Sequence, residues 1–262
     1  MKTQTINGLH VTDYGGTGTP IIFVHAFPFH SGMWHYQVEY FKGGRRVITY
    51  DVRGLGNSRS ENSQFMLEHY AEDFLMIIKE LKLEKVIGCG LSMGGYILLR
   101  ALEKDSSKFA GIILADTRAT RDDNTGLINR AEAIKLIKSG NKKEFLDSFI
   151  KKIICEESYG KKGIVNFIED ILYTNSEEGI MGSMIAVATR TDTLESLKNI
   201  DTKSLIIVGE RDELTPLECA EKIHNNLKNS KLEVIKGSGH MSNIESPENF
   251  NKIVEIFLKE ID

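Results

Sequence analysis

The segment Gly90-Leu91-Ser92-Met93-Gly94 constrains the fold of this chain more than any other part of the sequence. It follows an apolar run that predicts a strand (85–89) and precedes an apolar run of helical character (96–102). A serine between glycines at such a strand-to-helix turn is the pattern of a nucleophile elbow. The glycines lack a Cβ, so the turn can close around a strained serine backbone. The pattern predicts a hydroxyl at the carboxyl edge of a sheet, although a glycine-rich connection with a passive serine is the alternative.

Apolar runs elsewhere in the chain predict strands that alternate with helices. A hairpin is predicted over 4–14, and buried strands are predicted at 21–24, 46–50, 109–115, 203–208 and 232–235. Amphipathic helices are predicted from Leu67 to Leu81 and near the C-terminus, where Phe250, Val254 and Phe257 share one face. Buried strands that alternate with helices indicate an α/β fold with a doubly wound, mainly parallel sheet.

The stretch from 117 to 197 has a different pattern, because strand signals give way to helical ones. Helices are predicted at 131–138, 143–154, 165–172 and 179–188, with charged residues interspersed as on solvated faces. We therefore expect residues 117–197 to form an inserted helical cap. Residues 1–116 and 198–262 would then form the α/β core.

Composition narrows the class of protein. A chain of 262 residues is long enough for one α/β domain with an insertion. The net charge of −4 argues against a nucleic-acid partner. The three cysteines match neither a zinc site nor a disulfide framework, which favours a reducing compartment. The sequence shows no apolar signal region and no apolar run of about 18 residues, so we expect a soluble cytoplasmic protein without membrane contact.

A serine hydroxyl becomes a good nucleophile only beside a base that is itself oriented by a third group. Asp212 and His240 both lie just after predicted strands, where open α/β sheets place ligands. With Ser92 they give the chain order serine, acid, histidine. Asp116, Glu210 and Glu213 are alternative acids; the motif favours Asp212.

Together these motifs resemble those of the α/β-hydrolase-fold serine hydrolases over nearly the whole chain, most closely the small capped esterases, enol-lactonases and perhydrolase-like enzymes. The matching segments are His25-Ala26-Phe27-Pro28, the loop 51–58, the elbow 90–95, Gly209-Glu210-Arg211-Asp212 and Gly237-Ser238-Gly239-His240. The resemblance implies that Ser92, Asp212 and His240 are catalytic and that neither a metal ion nor an organic cofactor is used. It also implies an oxyanion hole formed by the backbone N–H groups of Met93 and Phe27.

The neighbourhood of the oxyanion loop departs from the family pattern, because Ala26 stands where glycine is usual. The Cβ of Ala26 could change the shape of this loop. His25, Asp51 and Arg53 are interpreted as structural residues of their loops. As walls of a substrate pocket the sequence suggests Ala26, Phe27, Phe29, Trp34, Met93 and Met241.

The sequence therefore predicts a serine hydrolase that cleaves a small carboxylic ester or lactone through an acyl-enzyme on Ser92. Thioester hydrolysis, acyl or perhydrolytic transfer and carbon–carbon bond hydrolysis are alternatives on the same three residues, because fold does not settle chemistry. A non-catalytic receptor for a small ligand is a further alternative. The expected partner is a small molecule, and the chain is expected to be a monomer or a small homo-oligomer.

Overall fold

One sheet organises the molecule, which a computed structural model describes for residues 1–58 and 65–261. Within those residues the sheet has eight strands in the order β1-β2-β4-β3-β5-β6-β7-β8. Strands β1, β2 and β4 pair antiparallel, and the pairs from β4 through β3 to β8 are parallel. The strands are β1 Lys2–Ile6, β2 Leu9–Asp13, β3 Ile21–Val24, β4 Val47–Tyr50, β5 Val86–Leu91, β6 Phe109–Ala115, β7 Ser204–Gly209 and β8 Ser230–Ile235.

The burial of each strand follows its place in the sheet. Every residue of β3, β4, β5 and β7 is buried, because helices cover both faces of a parallel sheet. The edge strands β1 and β8 are largely exposed. The predicted hairpin is confirmed: Asn7 and Gly8 both have positive φ, as a two-residue turn between β1 and β2 requires.

Helices fill the connections between the strands. Helix α1 packs against α12, α2 packs against α3, and α10 packs against β7 and β8. No helix in residues 1–58 and 65–261 is long and apolar enough to cross a bilayer. The helices are α1 His35–Phe41, α2 Leu67–Glu80, α3 Met93–Lys104, α4 Asn124–Lys138, α5 Lys142–Ile153, α6 Glu156–Tyr159, α7 Lys162–Leu172, α8 Glu177–Ala188, α9 Leu194–Leu197, α10 Leu217–Asn226, α11 Ser242–Glu245 and α12 Pro247–Leu258.

The chain between β6 and β7 is helical, from α4 to α9. Helix α4 begins at Asn124, earlier than the predicted 131, because the Asp123 carboxylate accepts a hydrogen bond from the Gly126 N–H and caps the helix. Helix α8 begins in the same way, with the Ser176 hydroxyl accepting from the Gly179 N–H. The α/β class and the doubly wound, mainly parallel sheet predicted from the sequence are confirmed.

An ion-pair network joins α4 to the end of α8. The Asp122 carboxylate accepts from Arg130 Nε at 2.6 Å and from Arg190 Nη2 at 2.7 Å. The Arg190 guanidinium also lies over the Tyr96 ring, 4.5 Å from its centroid. Burial alone would raise the pKa of Asp122, but the hydrogen bonds from the two arginines lower it to about 2.

We expect Asp122→Asn to lower the free energy of unfolding at pH 7 by about 3 kcal/mol, because it leaves the buried Arg190 guanidinium without its counter-charge. The pKa of Asp122 is lower in the folded chain than the value of about 3.9 in an unfolded one. The carboxylate therefore stabilises fully above about pH 4, and this contribution disappears as the pH falls towards 2. Urea unfolding at several pH values measures both effects.

Asp170→Asn is the matched control, since Asp170 is an exposed aspartate on α7. We expect it to change the free energy of unfolding by less than about 0.5 kcal/mol. A difference between wild type and Asp122→Asn that persisted undiminished at pH 2.5 would contradict the role given to this carboxylate.

Candidate active site

Ser92 lies at the turn between β5 and α3 with a strained backbone, φ 53° and ψ −113°. The geometry leaves no room for side chains at the flanking glycines. A Cβ on Gly90 would lie 2.4 Å from the Gly94 carbonyl carbon, and a Cβ on Gly94 would lie 2.1 Å from the Val24 oxygen. The Ser92 N–H donates to the Ala115 oxygen at 2.9 Å, which ties the turn to the end of β6. The strained turn thus directs the hydroxyl away from the sheet.

His240 lies between Ser92 and Asp212. Its Nε2 is 2.9 Å from Ser92 Oγ, and its Nδ1 is 2.8 Å from Asp212 Oδ2. An ionised carboxylate can only accept hydrogen bonds, so the network assigns the proton of the neutral imidazole to Nδ1. Nε2 then carries the lone pair and accepts from the Ser92 hydroxyl. The arrangement suits removal of the Ser92 proton.

The Asp212 carboxylate is buried and held by several donors. Oδ1 accepts from the Leu214 and Thr215 N–H groups, each at 2.9 Å. Oδ2 accepts from Thr215 Oγ1 at 2.6 Å as well as from His240. Burial alone would raise the pKa of Asp212, but the neighbouring His240 and these hydrogen bonds lower it to about 2. Asp212 is therefore ionised near neutral pH.

The other acids considered from the sequence do not bond to His240 in the described structure. Asp116 is buried; Oδ1 accepts from the Gly209 N–H at 2.8 Å and Oδ2 accepts from the Ser242 hydroxyl at 2.5 Å. Burial and the charge of Asp212 raise its pKa well above the usual range. Glu210 accepts from the Gly237 N–H at 2.9 Å, and Glu213 is exposed. Asp116 therefore links the end of β7 to Ser242, two residues after His240.

Glu245 also holds the loop that carries His240. The sequence analysis did not single out this residue. Its Oε1 accepts from the N–H groups of Gly239 at 2.9 Å and Met241 at 3.2 Å. Its Oε2 accepts from the Cys155 N–H at 3.0 Å, just beyond α5. One carboxylate therefore joins the residues on both sides of His240 to the helical stretch.

We expect Glu245→Gln to lower kcat for ester hydrolysis about tenfold with little change in KM. The glutamine amide nitrogen cannot accept a hydrogen bond, so the bonds made by one of the two Glu245 oxygens are lost. His240 is then positioned less accurately. Steady-state kinetics on a short p-nitrophenyl ester measures this.

Glu248→Gln, an exposed change on the neighbouring helix α12, serves as the control and should leave both constants unchanged. Equal kinetics for Glu245→Gln and wild type would show that Glu245 does not position His240.

The backbone N–H groups of Phe27 and Met93 have no acceptor among the described residues, and both residues line the same cavity as Ser92. Met93 is the first residue of α3, where helix N–H groups lack partners within the helix. The nearby Ala26 does not have a positive φ; its N–H donates to Met33 Sδ at 3.2 Å and its oxygen accepts from the Phe29 N–H. The loop therefore accommodates an alanine with ordinary backbone geometry.

A cavity of about 480 Å³ opens over Ser92 and His240. Its far wall comes from α4, α5 and α8. Phe27 meets Phe149 edge-on, with ring centroids 5.6 Å apart, so that the loop carrying Phe27 and α5 form one apolar surface. The sequence analysis missed Phe145 and Phe149, which line the cavity, although their spacing of four residues could have indicated an apolar helix face.

Of the pocket walls suggested from the sequence, Phe27 and Met93 line this cavity. Ala26, Phe29, Trp34 and Met241 are not among its lining residues, and each is at most 1% exposed. Trp34 packs instead on Phe23, with ring centroids 4.8 Å apart. The side chains of these four residues pack into the core instead.

The residues interpreted as structural make local contacts. Val52 N–H donates to His25 Nε2 at 2.7 Å, and His25 Nδ1 donates to the Ala26 oxygen. Burial, opposed by Asp51, lowers the pKa of His25 to about 4, which keeps the ring neutral. Arg53 forms an ion pair with Asp73 at 2.6 Å. In the described part of the chain, no cluster of three or more His, Cys, Asp or Glu side chains could hold a metal ion.

Comparison with known proteins shows the family to which the chain belongs. The α/β hydrolase fold family matches residues 19–247. This chain belongs to that family. It is 33% identical to 3-oxoadipate enol-lactonase 1 of Acinetobacter baylyi over 92% of this chain and 89% of that protein. It is 26% identical to a bifunctional esterase/perhydrolase of Acinetobacter calcoaceticus, with 94% of each covered.

A solved structure extends the likeness to three dimensions. A thermophilic esterase from Thermogutta terrifontis superposes with a TM-score of 0.94 at 27% identity, covering 100% of this chain and 99% of that one. These family members are hydrolases that act on ester bonds.

Proposed function

We propose that this chain is a serine hydrolase that cleaves a small carboxylic ester or lactone through an acyl-enzyme on Ser92. The observation that carries the proposal is the hydrogen-bonded series from Ser92 Oγ through His240 to Asp212, at 2.9 and 2.8 Å. Two unpaired N–H groups and a largely apolar cavity lie beside it. The esterase and enol-lactonase relatives support the same class of reaction.

In the proposed mechanism His240 Nε2 takes the Ser92 proton as Oγ attacks the substrate carbonyl carbon. The negative charge that develops on the carbonyl oxygen is stabilised by the N–H groups of Met93 and Phe27. Asp212 holds the imidazole through Nδ1 and stabilises its protonated form. His240 then protonates the departing alcohol, or the ring oxygen of a lactone, and afterwards activates water to release the acid from Ser92.

We further propose that residues 117–197 act as a cap that limits substrate size. Helices α4, α5 and α8 form the wall opposite Ser92, and a cavity of about 480 Å³ is of the size that holds small molecules. Short esters and small lactones fit this space better than the chains of a triglyceride.

Perhydrolysis is the second candidate, favoured by the esterase/perhydrolase relative. Hydrogen peroxide would replace water as the nucleophile that attacks the acyl-enzyme, and a peracid would leave Ser92 in place of the acid. The same three residues serve both reactions, so only the product distinguishes them.

Purified protein should be incubated with short p-nitrophenyl esters, small lactones and a thioester, in water and in hydrogen peroxide, with acid and peracid measured. We expect turnover of esters or lactones, together with one fluorophosphonate adduct on Ser92 by intact mass. A folded protein that forms no adduct and turns over none of these substrates would contradict the proposal and favour a ligand-binding role.

A further inference from the structure

Basic side chains contribute to the wall of the cavity that holds Ser92. Arg118, Arg130 and Lys152 are lining residues, against one carboxylate, Glu132. The chain as a whole carries a net charge of −4, so this local excess of positive charge runs against its composition. A cavity with such a wall attracts anions.

Arg118 is the least satisfied of these groups. It lies between β6 and α4, and its Nη2 donates to the Leu214 oxygen. Its Nε is buried and has no hydrogen-bond partner, and no carboxylate pairs with it within residues 1–58 and 65–261. Arg118 lines the cavity with a positive charge that no carboxylate of the described residues balances, so an anionic ligand would supply the missing counter-charge.

The other charges of the wall reinforce this arrangement. Arg130 shares the single Asp122 carboxylate with Arg190, which leaves those three side chains with a net positive charge. Lys152 has no ion-pair partner in the described structure. The side chain of Glu132 is 67% exposed and lies 3.7 Å from Lys135, so its charge is largely screened by solvent.

We propose that the substrate itself carries a carboxylate, which Arg118 binds with Lys152 assisting at the more exposed part of the wall. The inference rests on the proposed function, since it names the substrate class of the same cavity. A guanidinium pairs with a carboxylate through charge-assisted, often bidentate hydrogen bonds, which fix orientation as well as adding affinity. The carboxylate anchors the substrate while its ester carbonyl lies at Ser92.

The test compares esters that differ in one charge. Monomethyl glutarate and dimethyl glutarate place a carboxylate or a neutral group on the acyl side; 4-acetoxybenzoate and 4-acetoxybenzamide do so on the alcohol side. The measured quantity is the ratio of kcat/KM for the anionic member of each pair to that for its neutral partner. We expect a ratio of at least about 10 for one pair in the wild type. Arg118→Met should lower that ratio about 10- to 100-fold, and Arg118→Lys should lower it less.

Lys152→Met should lower the same ratio a few-fold. Lys151→Met is its matched control, because the adjacent Lys151 is exposed and does not line this cavity. The control should leave the ratio unchanged. A ratio at or below 1 for both pairs, or one that Arg118→Met leaves unaltered, would overturn the inference while neutral-ester turnover kept the proposed function intact.

Calorimetric titration of monomethyl glutarate and of 4-acetoxybenzoate into the Ser92→Ala variant separates the two proposals if no ester is hydrolysed. Saturable binding of either compound that is lost with Arg118→Met would support the carboxylate site although hydrolysis had failed. Absence of binding for both would overturn it.

Discussion

Replacement of Ser92 by alanine is expected to lower kcat/KM for a short ester by about 10⁶-fold and to abolish the fluorophosphonate adduct. The magnitude follows from the proposed role of Ser92 as the nucleophile of a unit in which each member depends on the others. The hydroxyl of Ser92 is hydrogen-bonded to His240. Its loss leaves the strained backbone of the turn in place, so the variant should unfold at nearly the wild-type urea concentration.

Ser148→Ala is the matched control, because Ser148 lines the same cavity from α5. We expect it to retain activity within a few-fold of wild type and to form the adduct. Activity in Ser92→Ala within tenfold of wild type, or an adduct on that variant, would show that the nucleophile is another residue.

The second large effect is expected when Asp212, the proposed acid, is replaced. Asp212→Asn should lower kcat about 10⁴-fold, because the amide forces the wrong tautomer on His240. The N–H groups of Leu214 and Thr215 both point at Oδ1, so the asparagine oxygen must occupy that position. Its NH₂ group then faces His240 Nδ1 and moves the ring proton to Nε2, which can no longer accept from Ser92. Kinetics on a p-nitrophenyl ester measures the loss.

Asp116→Asn is the informative comparison, since Asp116 is equally buried and also follows a strand end. It bonds to Gly209 and Ser242 and not to His240, so we expect less than a tenfold loss of kcat. A loss for Asp116→Asn equal to that for Asp212→Asn would mean that the two carboxyls share the role of the acid.

Local rules predicted much of the fold, because strands and helices follow from short-range patterns. The hairpin turn at Asn7-Gly8, the buried parallel strands and the elbow at Ser92 each depend on residues within a few positions of one another. Helix α4 begins earlier than its weak apolar pattern predicts, because Asp123 caps its N-terminus. The boundaries of the cap remain a prediction.

Residues that line a cavity are difficult to predict from sequence, because long-range packing determines which side chains reach it. Trp34 and Met241 stand beside motif loops in sequence, yet both turn into the core. Phe145 and Phe149 line the cavity because a separate helical stretch folds back over Ser92. No short-range sequence pattern indicates where this helical stretch packs.

The sheet, the strained serine turn and a set of candidate acids and bases after strands can all be inferred from the sequence, since backbone preferences and burial act locally. Which carboxyl reaches His240 depends on the packing of distant segments. Asp116 and Asp212 both follow buried strands, yet Asp212 bonds to His240 Nδ1 whereas Asp116 bonds to the Ser242 hydroxyl. The tertiary structure also supplied the basic wall of the cavity, because charges distant in sequence add only when packing brings them to one surface.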